Sequence, residues 1–169
     1  MRIFGLAGWS GSGKTTLMTA LIPEFTARGL TVSTVKHAHH TFDIDQPGKD
    51  SWRHREAGAS EVMIVSQRRW ALMHELRDEP EPDLEALVAR ITPVDLLLVE
   101  GFKRHPHPKI EVHRPSLGKL PLYRDDPFIV AVASDKELSG LTLPRLPLSQ
   151  PAVIAEFILG HDGRPRCPS

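Results

Sequence analysis

The stretch that decides the fold is GWSGSGKTTLMTALIPEF, Gly8 to Phe25, in which glycines crowd ahead of an apolar run. Glycine inside a regular element costs conformational entropy, so Gly8, Gly11 and Gly13, interleaved with Ser10 and Ser12, need a local reason. The spacing supplies it. Gly8, four further residues, then Gly13, Lys14 and Thr15 match G-x-x-x-x-G-K-[ST], the phosphate-binding loop that joins a strand to a helix. Both flanks agree: RIFGLAG upstream reads as a short apolar strand, and Leu17, Leu21 and Phe25 downstream recur at helical spacing. At that helix start, unpaired backbone amides and the positive end of the helix dipole converge on a bound anion. Glycines let the main chain wrap the phosphates, Lys14 reaches the β- and γ-phosphates, and the Thr15 hydroxyl is placed to ligate Mg²⁺. Pro23 predicts a kink or an early end of the helix, and Gly29 a stop before the next strand.

Working outward, 169 residues at 40% hydrophobic and 25% charged suit one globular domain with a real core, taken as residues 1–160 with a frayed tail over 161–169. Lys+Arg and Asp+Glu each total 21, so no global basic field argues for nucleic acid. The single cysteine, Cys167, excludes an intramolecular disulfide or a cysteine metal cluster and fits a reducing compartment. No signal-peptide pattern and no apolar run of about 20 residues occurs, so the reading is a cytoplasmic protein away from membranes.

LTVSTVKHAHH predicts a strand with a histidine-rich end, DSWRHREAGA a short helix, and SEVMIVSQ with RWALMHEL two strands joined at Gln67–Arg68–Arg69. PDLEALVARI carries Leu84, Leu87, Val88 and Ile91 at helical spacing, and VDLLLVEG and FIVAVASD read as parallel strands buried on both faces. FKRHPHPKIEVHR is expected to be a loop and a short edge strand, and PAVIAEFIL a closing helix introduced by Pro151. This alternation predicts a three-layer α/β fold of the phosphate-loop NTPase type, with a largely parallel sheet and an additional β-hairpin. Ligands of such sheets bind at the carboxyl ends of the strands.

Five groups of side chains extend the chemistry. Glu100, between an apolar strand and Gly101, stands where a carboxylate can hold Mg²⁺ or its water, whereas Asp95 opens the same strand at the wrong end. His37, His39 and His40, with Asp43 and Asp45, form either a transition-metal site or a polar surface loop. Lys49 can meet a phosphate, and Asp50 can orient the metal or a nucleophilic water, or else cap the next helix. Asp135 can accept from the N1–H and exocyclic amine of guanine, or serve as a turn residue, since no N-K-x-D sequence is present. Arg53, Arg55, Arg68 and Arg69 are candidate phosphate or partner contacts.

The ordered set GWSGSGKTTL, KHAHHTFDID, PGKDS, EAGA, SQRRWALMHE, LLLVEGFK and FIVAVASD resembles the molybdopterin-guanine dinucleotide biosynthesis protein B family, small phosphate-loop GTP-binding proteins, over residues 1 to about 158. The resemblance implies a homodimer that binds GTP with Mg²⁺, hydrolyses it slowly, and works with a nucleotidyltransferase that joins GMP to molybdopterin, which is itself an implied ligand. It places the phosphate site on Ser10, Gly11, Ser12, Gly13, Lys14, Thr15 and Thr16, and the metal-side acid on Glu100. Slow hydrolysis fits a sequence in which no water-orienting residue beyond Asp50 and no arginine finger in cis is legible. Two other classes use the same residues: a small-molecule kinase, and a nucleotide-gated metal carrier built on His37, His39 and His40.

Overall fold

The structure, a computed structural model, describes residues 1–38 and 42–164. Its chain falls into two compact units, one of Met1–His37 with the chain from Ala89 onward, the other Ala38–Val88.

The first unit holds strands β1 (Arg2–Ala7) and β2 (Val32–Lys36), separated by helix α1 (Lys14–Thr26). The second holds helix α2 (Asp50–Glu56), strands β3 (Glu61–Val65) and β4 (Trp70–His74), and helix α3 (Leu84–Val88). The chain then completes the first unit with β5 (Leu96–Glu100), β6 (Lys109–His113), β7 (Ile129–Ser134), β8 (Arg145–Pro147) and helix α4 (Pro151–Gly160). Six strands form one sheet in the order β2-β5-β1-β6-β7-β8. Every pair in it is parallel, so all carboxyl ends share one edge.

Alternation along the strands sorts the residues by face. Phe4, Leu6, Leu96, Leu98, Ile110 and Val112 meet Leu17, Leu21 and Phe25 of α1 and Ile154 and Ile158 of α4 in the main core. Burial carries α1 through its proline. The early end expected at Pro23 does not occur: the helix runs on to Thr26, with the Ala27 amide donating to the Pro23 carbonyl at 2.9 Å. Pro23 is flanked by Leu21 and Phe25, both fully buried, and that packing outweighs the helix-breaking cost. Gly29, at φ +79°, ends the turn as expected.

The opposite face is covered by Tyr123 and Leu122 of a 3₁₀ turn and by Leu138, Leu141 and Leu143. Here the sequence-based expectation of an edge strand at KIEVH is overturned. β6 lies inside the sheet between β1 and β7, and all five residues are buried. Its alternating polar residues are buried because each finds a partner. Lys109 Nζ meets Asp126 Oδ2 at 3.0 Å, and Glu111 accepts from the Leu122 and Tyr123 amides at 2.9 and 2.8 Å. The sequence also gave no signal for β8, only three residues long.

His107 leads into this polar line and packs against Gly5, where an added Cβ would lie 2.4 Å from its Nε2. Burial, then Lys109 and His105, push its pKa down to about 4. A histidine lowered from its ordinary 6.5 leaves the unfolded chain binding the extra proton between those values. Stability is therefore expected to fall as pH drops from about 6.5 to about 4, by about 3 kcal/mol at about 1.4 kcal/mol per unit. Chemical denaturation across that range should show a flatter profile for His107→Gln.

In the second unit the hairpin predicted at SEVMIVSQ and RWALMHEL forms with Val65 opposite Trp70, and Ser66 hydrogen-bonds Arg69 across the turn. The helix expected over PDLEALVARI is reduced to one turn, Leu84–Val88. Only Leu84 of its apolar positions is buried, too little packing to sustain a longer helix. Met63, Val65, Trp70 and Leu72 share one exposed face of the hairpin.

Candidate functional site

β1 delivers the chain into the glycine loop at the carboxyl edge of the sheet, and α1 begins at Lys14. Gly8, Gly11 and Gly13 all adopt positive φ, at +143°, +78° and +100°. Gly8 has a second constraint: a Cβ there would lie 2.6 Å from the Val112 carbonyl and 2.8 Å from Ser12 Oγ. The loop is thus a cradle that only this backbone can form. Ser12 is buried, and its hydroxyl has no hydrogen-bond partner among the described residues. An orphaned donor inside such a cradle suits a phosphate oxygen.

Lys14 turns back over the loop, its Nζ donating to the Gly8 and Trp9 carbonyls at 3.1 and 3.0 Å. Burial lowers its pKa, Glu100 opposes that, and Lys103 and Lys36 lower it further. Cations therefore converge at the mouth of the loop. Lys103 and Lys119 also flank the Trp9 ring at 5.1 and 5.7 Å, while the Trp9 indole N–H donates to the Leu120 carbonyl at 2.7 Å.

The acid that joins them is Glu100, from the buried end of β5 beside β1. Thr15 Oγ1 donates to Glu100 Oε1 and Oε2 at 3.0 and 3.2 Å, and Lys36 Nζ lies 3.9 Å from Oε1. A hydroxyl and a carboxylate next to a phosphate cradle are hard oxygen donors of the type Mg²⁺ takes together with phosphates and water. The residues fit that ion. Gly101, at φ +98°, lets the chain turn away from Glu100, since a Cβ there would meet His37 Cβ at 2.7 Å.

Ser10, Gly11, Ser12, Gly13, Lys14, Thr15 and Thr16 are thus one continuous loop and helix start, joined by Glu100. Asp95 lies at the other edge, taken up by the Thr31 amide and hydroxyl at 2.8 and 2.6 Å. A cleft of about 380 Å³ opens there, lined by Arg2, Leu30, Asp95, Leu96 and Leu159. Its cation is spent, because Arg2 Nη1 donates to the Ile158 and Leu159 carbonyls.

Asp135 follows β7 at the carboxyl edge, where Arg114 Nη1 donates to its Oδ2 at 2.6 Å. Arg114 itself was missed by sequence reasoning. It follows β6 and also donates through Nε to the Ser12 carbonyl at 2.9 Å, a contact across 102 residues that no local pattern signals.

Lys49 and Asp50 belong to the second unit, where Lys49 is the N-cap residue of α2 and Asp50 stands in its first turn. Asp50 is not the cap, and among the described residues no side-chain cap hydrogen bond is made to that helix. Of the candidate arginines, Arg55 is committed within its own unit, to Asp43 at 2.8 Å, Glu75 at 2.9 Å and Asp45 at 3.4 Å. Asp43 and Asp45 thereby meet a guanidinium. His37 donates its amide to the Glu100 carbonyl at 2.8 Å and its ring lies 5.0 Å from that of Phe102. His39 and His40 lie outside the described residues, as does Cys167, and among the described residues no group of three metal-ligating side chains occurs.

Comparison with known proteins bears on this arrangement. Residues 3–135 match the family model of molybdopterin guanine dinucleotide synthesis protein B. A molybdopterin-guanine dinucleotide biosynthesis adapter protein from Haemophilus influenzae is 44% identical over 156 residues, 92% of this chain and 86% of that protein. The adapter protein of the same name from Escherichia coli is 43% identical over 160 residues, 93% and 91% of the two chains. Among solved structures, a molybdopterin-guanine biosynthesis protein B superposes with a TM-score of 0.72 at 30% identity, covering 93% of this chain and 97% of the other. MobB from Bacillus subtilis gives 0.73 at 25% identity, covering 94% and 96%.

Proposed function

This chain belongs to the molybdopterin guanine dinucleotide synthesis protein B family, and from that premise we propose that it is a GTP-dependent adapter. It binds GTP with Mg²⁺ in the cytoplasm, hydrolyses it slowly, and assists a nucleotidyltransferase in attaching GMP to molybdopterin. The observation that carries the nucleotide part is the meeting of Thr15 with Glu100 at the mouth of the glycine loop. When bound, Mg²⁺ would neutralise charge on the β- and γ-phosphates. The chain's own residues do the rest. Loop amides and Ser12 Oγ would hold phosphate oxygens, Lys14, now on the Gly8 and Trp9 carbonyls, would serve the phosphates, and Thr15 and Glu100 would hold the ion.

What surrounds the cradle supports slow turnover. Glu100 faces Thr15 and Lys36, and Arg114 is held by Ser12 and Asp135, so neither is disposed to orient an attacking water. A nucleotide-loaded state that persists suits an adapter, with a partner supplying the missing group. Guanine is read by Asp135, whose Oδ1 carries no hydrogen bond among the described residues. A homodimer completes the proposal, and the exposed apolar face of Met63, Val65, Trp70 and Leu72 supports it as a surface suited to association.

Competition among GTP, ATP and GMP with and without Mg²⁺ tests the reading. GTP should win, and Glu100→Gln should remove most of the Mg²⁺ dependence while retaining weak metal-free binding, a loss of roughly tenfold at saturating Mg²⁺. Equal Mg²⁺ dependence in wild type and Glu100→Gln would take Glu100 out of the metal site.

A further inference from the structure

We infer that Arg114 is a positioning residue that braces the phosphate loop against Asp135, so that the carboxylate proposed to read guanine also sets the grip on the phosphates. The inference rests on the nucleotide-binding reading above and deepens it.

Three neighbouring strands end at this point. In the sheet order β1-β6-β7, the glycine loop follows β1, Arg114 follows β6 and Asp135 follows β7. One guanidinium links the three: Nε donates to the Ser12 carbonyl at 2.9 Å and Nη1 to Asp135 Oδ2 at 2.6 Å. Its plane also runs along the loop, because a Cβ on Gly13 would lie 3.6 Å from Nη2 and 3.7 Å from Nε.

The Ser12 carbonyl belongs to the same peptide unit as the Gly13 amide. A charged donor on the oxygen polarises that unit and strengthens the N–H as a donor to an anion. It also fixes the peptide's orientation at Gly13, whose φ of +100° is reached by a residue with no side chain to hold it in place. Asp135 in turn holds the guanidinium in register. The side chains of Arg114 and Asp135 are 36% and 33% exposed, so the ion pair adds little to global stability. Its effect is local, on the geometry of the loop. Lysine cannot do the same work, since a single ammonium on a flexible stem has no fork with which to reach both acceptors.

Base reading and bracing predict different behaviour toward a ligand that has no base. The test measures binding of inorganic tripolyphosphate and of GTP, each with Mg²⁺, to the full chain by calorimetry. It compares wild type, Asp135→Asn, Arg114→Lys, Arg114→Gln and the Asp135→Asn/Arg114→Gln pair, with thermal melting of each to confirm folding. Bracing predicts that Asp135→Asn weakens tripolyphosphate about fivefold to tenfold, that Arg114→Lys and Arg114→Gln weaken it at least as much, and that the pair is no worse than Arg114→Gln alone. GTP should lose more than tripolyphosphate in Asp135→Asn.

Tripolyphosphate binding unchanged in Asp135→Asn, while GTP binding falls, would overturn the brace and leave Asp135 as a base contact only. Full affinity in Arg114→Lys would overturn it too, by showing that charge alone suffices. Wild-type protein that binds neither GTP nor tripolyphosphate would instead overturn the nucleotide reading itself, and this inference with it.

Discussion

Lys14→Ala is expected to weaken binding of Mg²⁺-GTP by at least about 100-fold, or about 3 kcal/mol, the upper range for hydrogen bonds to charged groups. The free protein shows why the loss should be large. Its ammonium sits on the Gly8 and Trp9 carbonyls, within the field of Lys36 and Lys103, and burial already lowers its pKa. Neutral carbonyls compensate that charge poorly, and a triphosphate would compensate it well. The same contrast separates binding from folding: removing Lys14 should leave the melting temperature of the free protein unchanged or raise it.

The sign of the pH dependence follows. Lys14 starts below the ordinary lysine value of 10.5 and would be raised by bound phosphate, so binding takes up protons at alkaline pH. Affinity should fall in wild type as pH rises through the free-protein value, and Lys14→Ala should lack that step. Calorimetry over pH 7 to about 10 reads both effects. GTP binding unchanged in Lys14→Ala would remove the glycine loop from the site.

The second large effect belongs to the buried face of β6. Asp126→Ala is expected to destabilise the fold by about 3–5 kcal/mol, the usual consequence of leaving one partner of a buried ion pair alone. Lys109 is fully buried, its Nζ lies 3.0 Å from Asp126 Oδ2, and the same ammonium stands 5.3 Å from the centre of the Phe128 ring. Asp126 also accepts the Phe128 amide through Oδ1 at 2.9 Å, so alanine loses a turn contact as well.

Burial lowers the Lys109 pKa and Asp126 opposes that shift, so without the acid the native-state pKa falls further. The unfolded chain then holds the extra proton, and the variant should recover stability as pH rises from 7 toward about 10. Lys109→Met combined with Asp126→Leu should lie much closer to wild type, because matched apolar groups avoid the stranded charge. Urea denaturation of the three proteins at two pH values checks this. Asp126→Ala as stable as wild type would show that the pair contributes nothing.

Legibility in the sequence tracked the distance over which a signal is written. The glycine loop has fixed offsets within Gly8–Thr15, and its flanking strand and helix follow from local periodicity, so loop, helix start and parallel sheet could all be read from residue order. VDLLLVEG gave both a buried strand and the position of Glu100. The KIEVH strand was misread as an edge because polar alternation ordinarily marks a half-solvated strand. Its burial depends on Asp126 and on the amides of Leu122 and Tyr123, which no pattern within the strand discloses. Arg114 was invisible for the same reason, its acceptors being 102 residues before it and 21 after. Pro23 shows the converse: the local breaker signal was real, and burial of Leu21 and Phe25 overrode it.

The strand order has a consequence for synthesis. β1 lies between β5 and β6, and β2 pairs with β5 as well, so every neighbour that could fix the first strand is supplied by Leu96–His113. A nascent chain that has emerged only as far as the Ala38–Val88 unit carries the whole glycine motif with nothing to hold it open and no Glu100 beside Thr15. Such long-range pairing must wait for later residues. Translation therefore finishes most of the polypeptide before the glycine loop has its neighbours, and the nucleotide proposed for that loop could stabilise the completed sheet but could not guide the ribosome-bound half toward it.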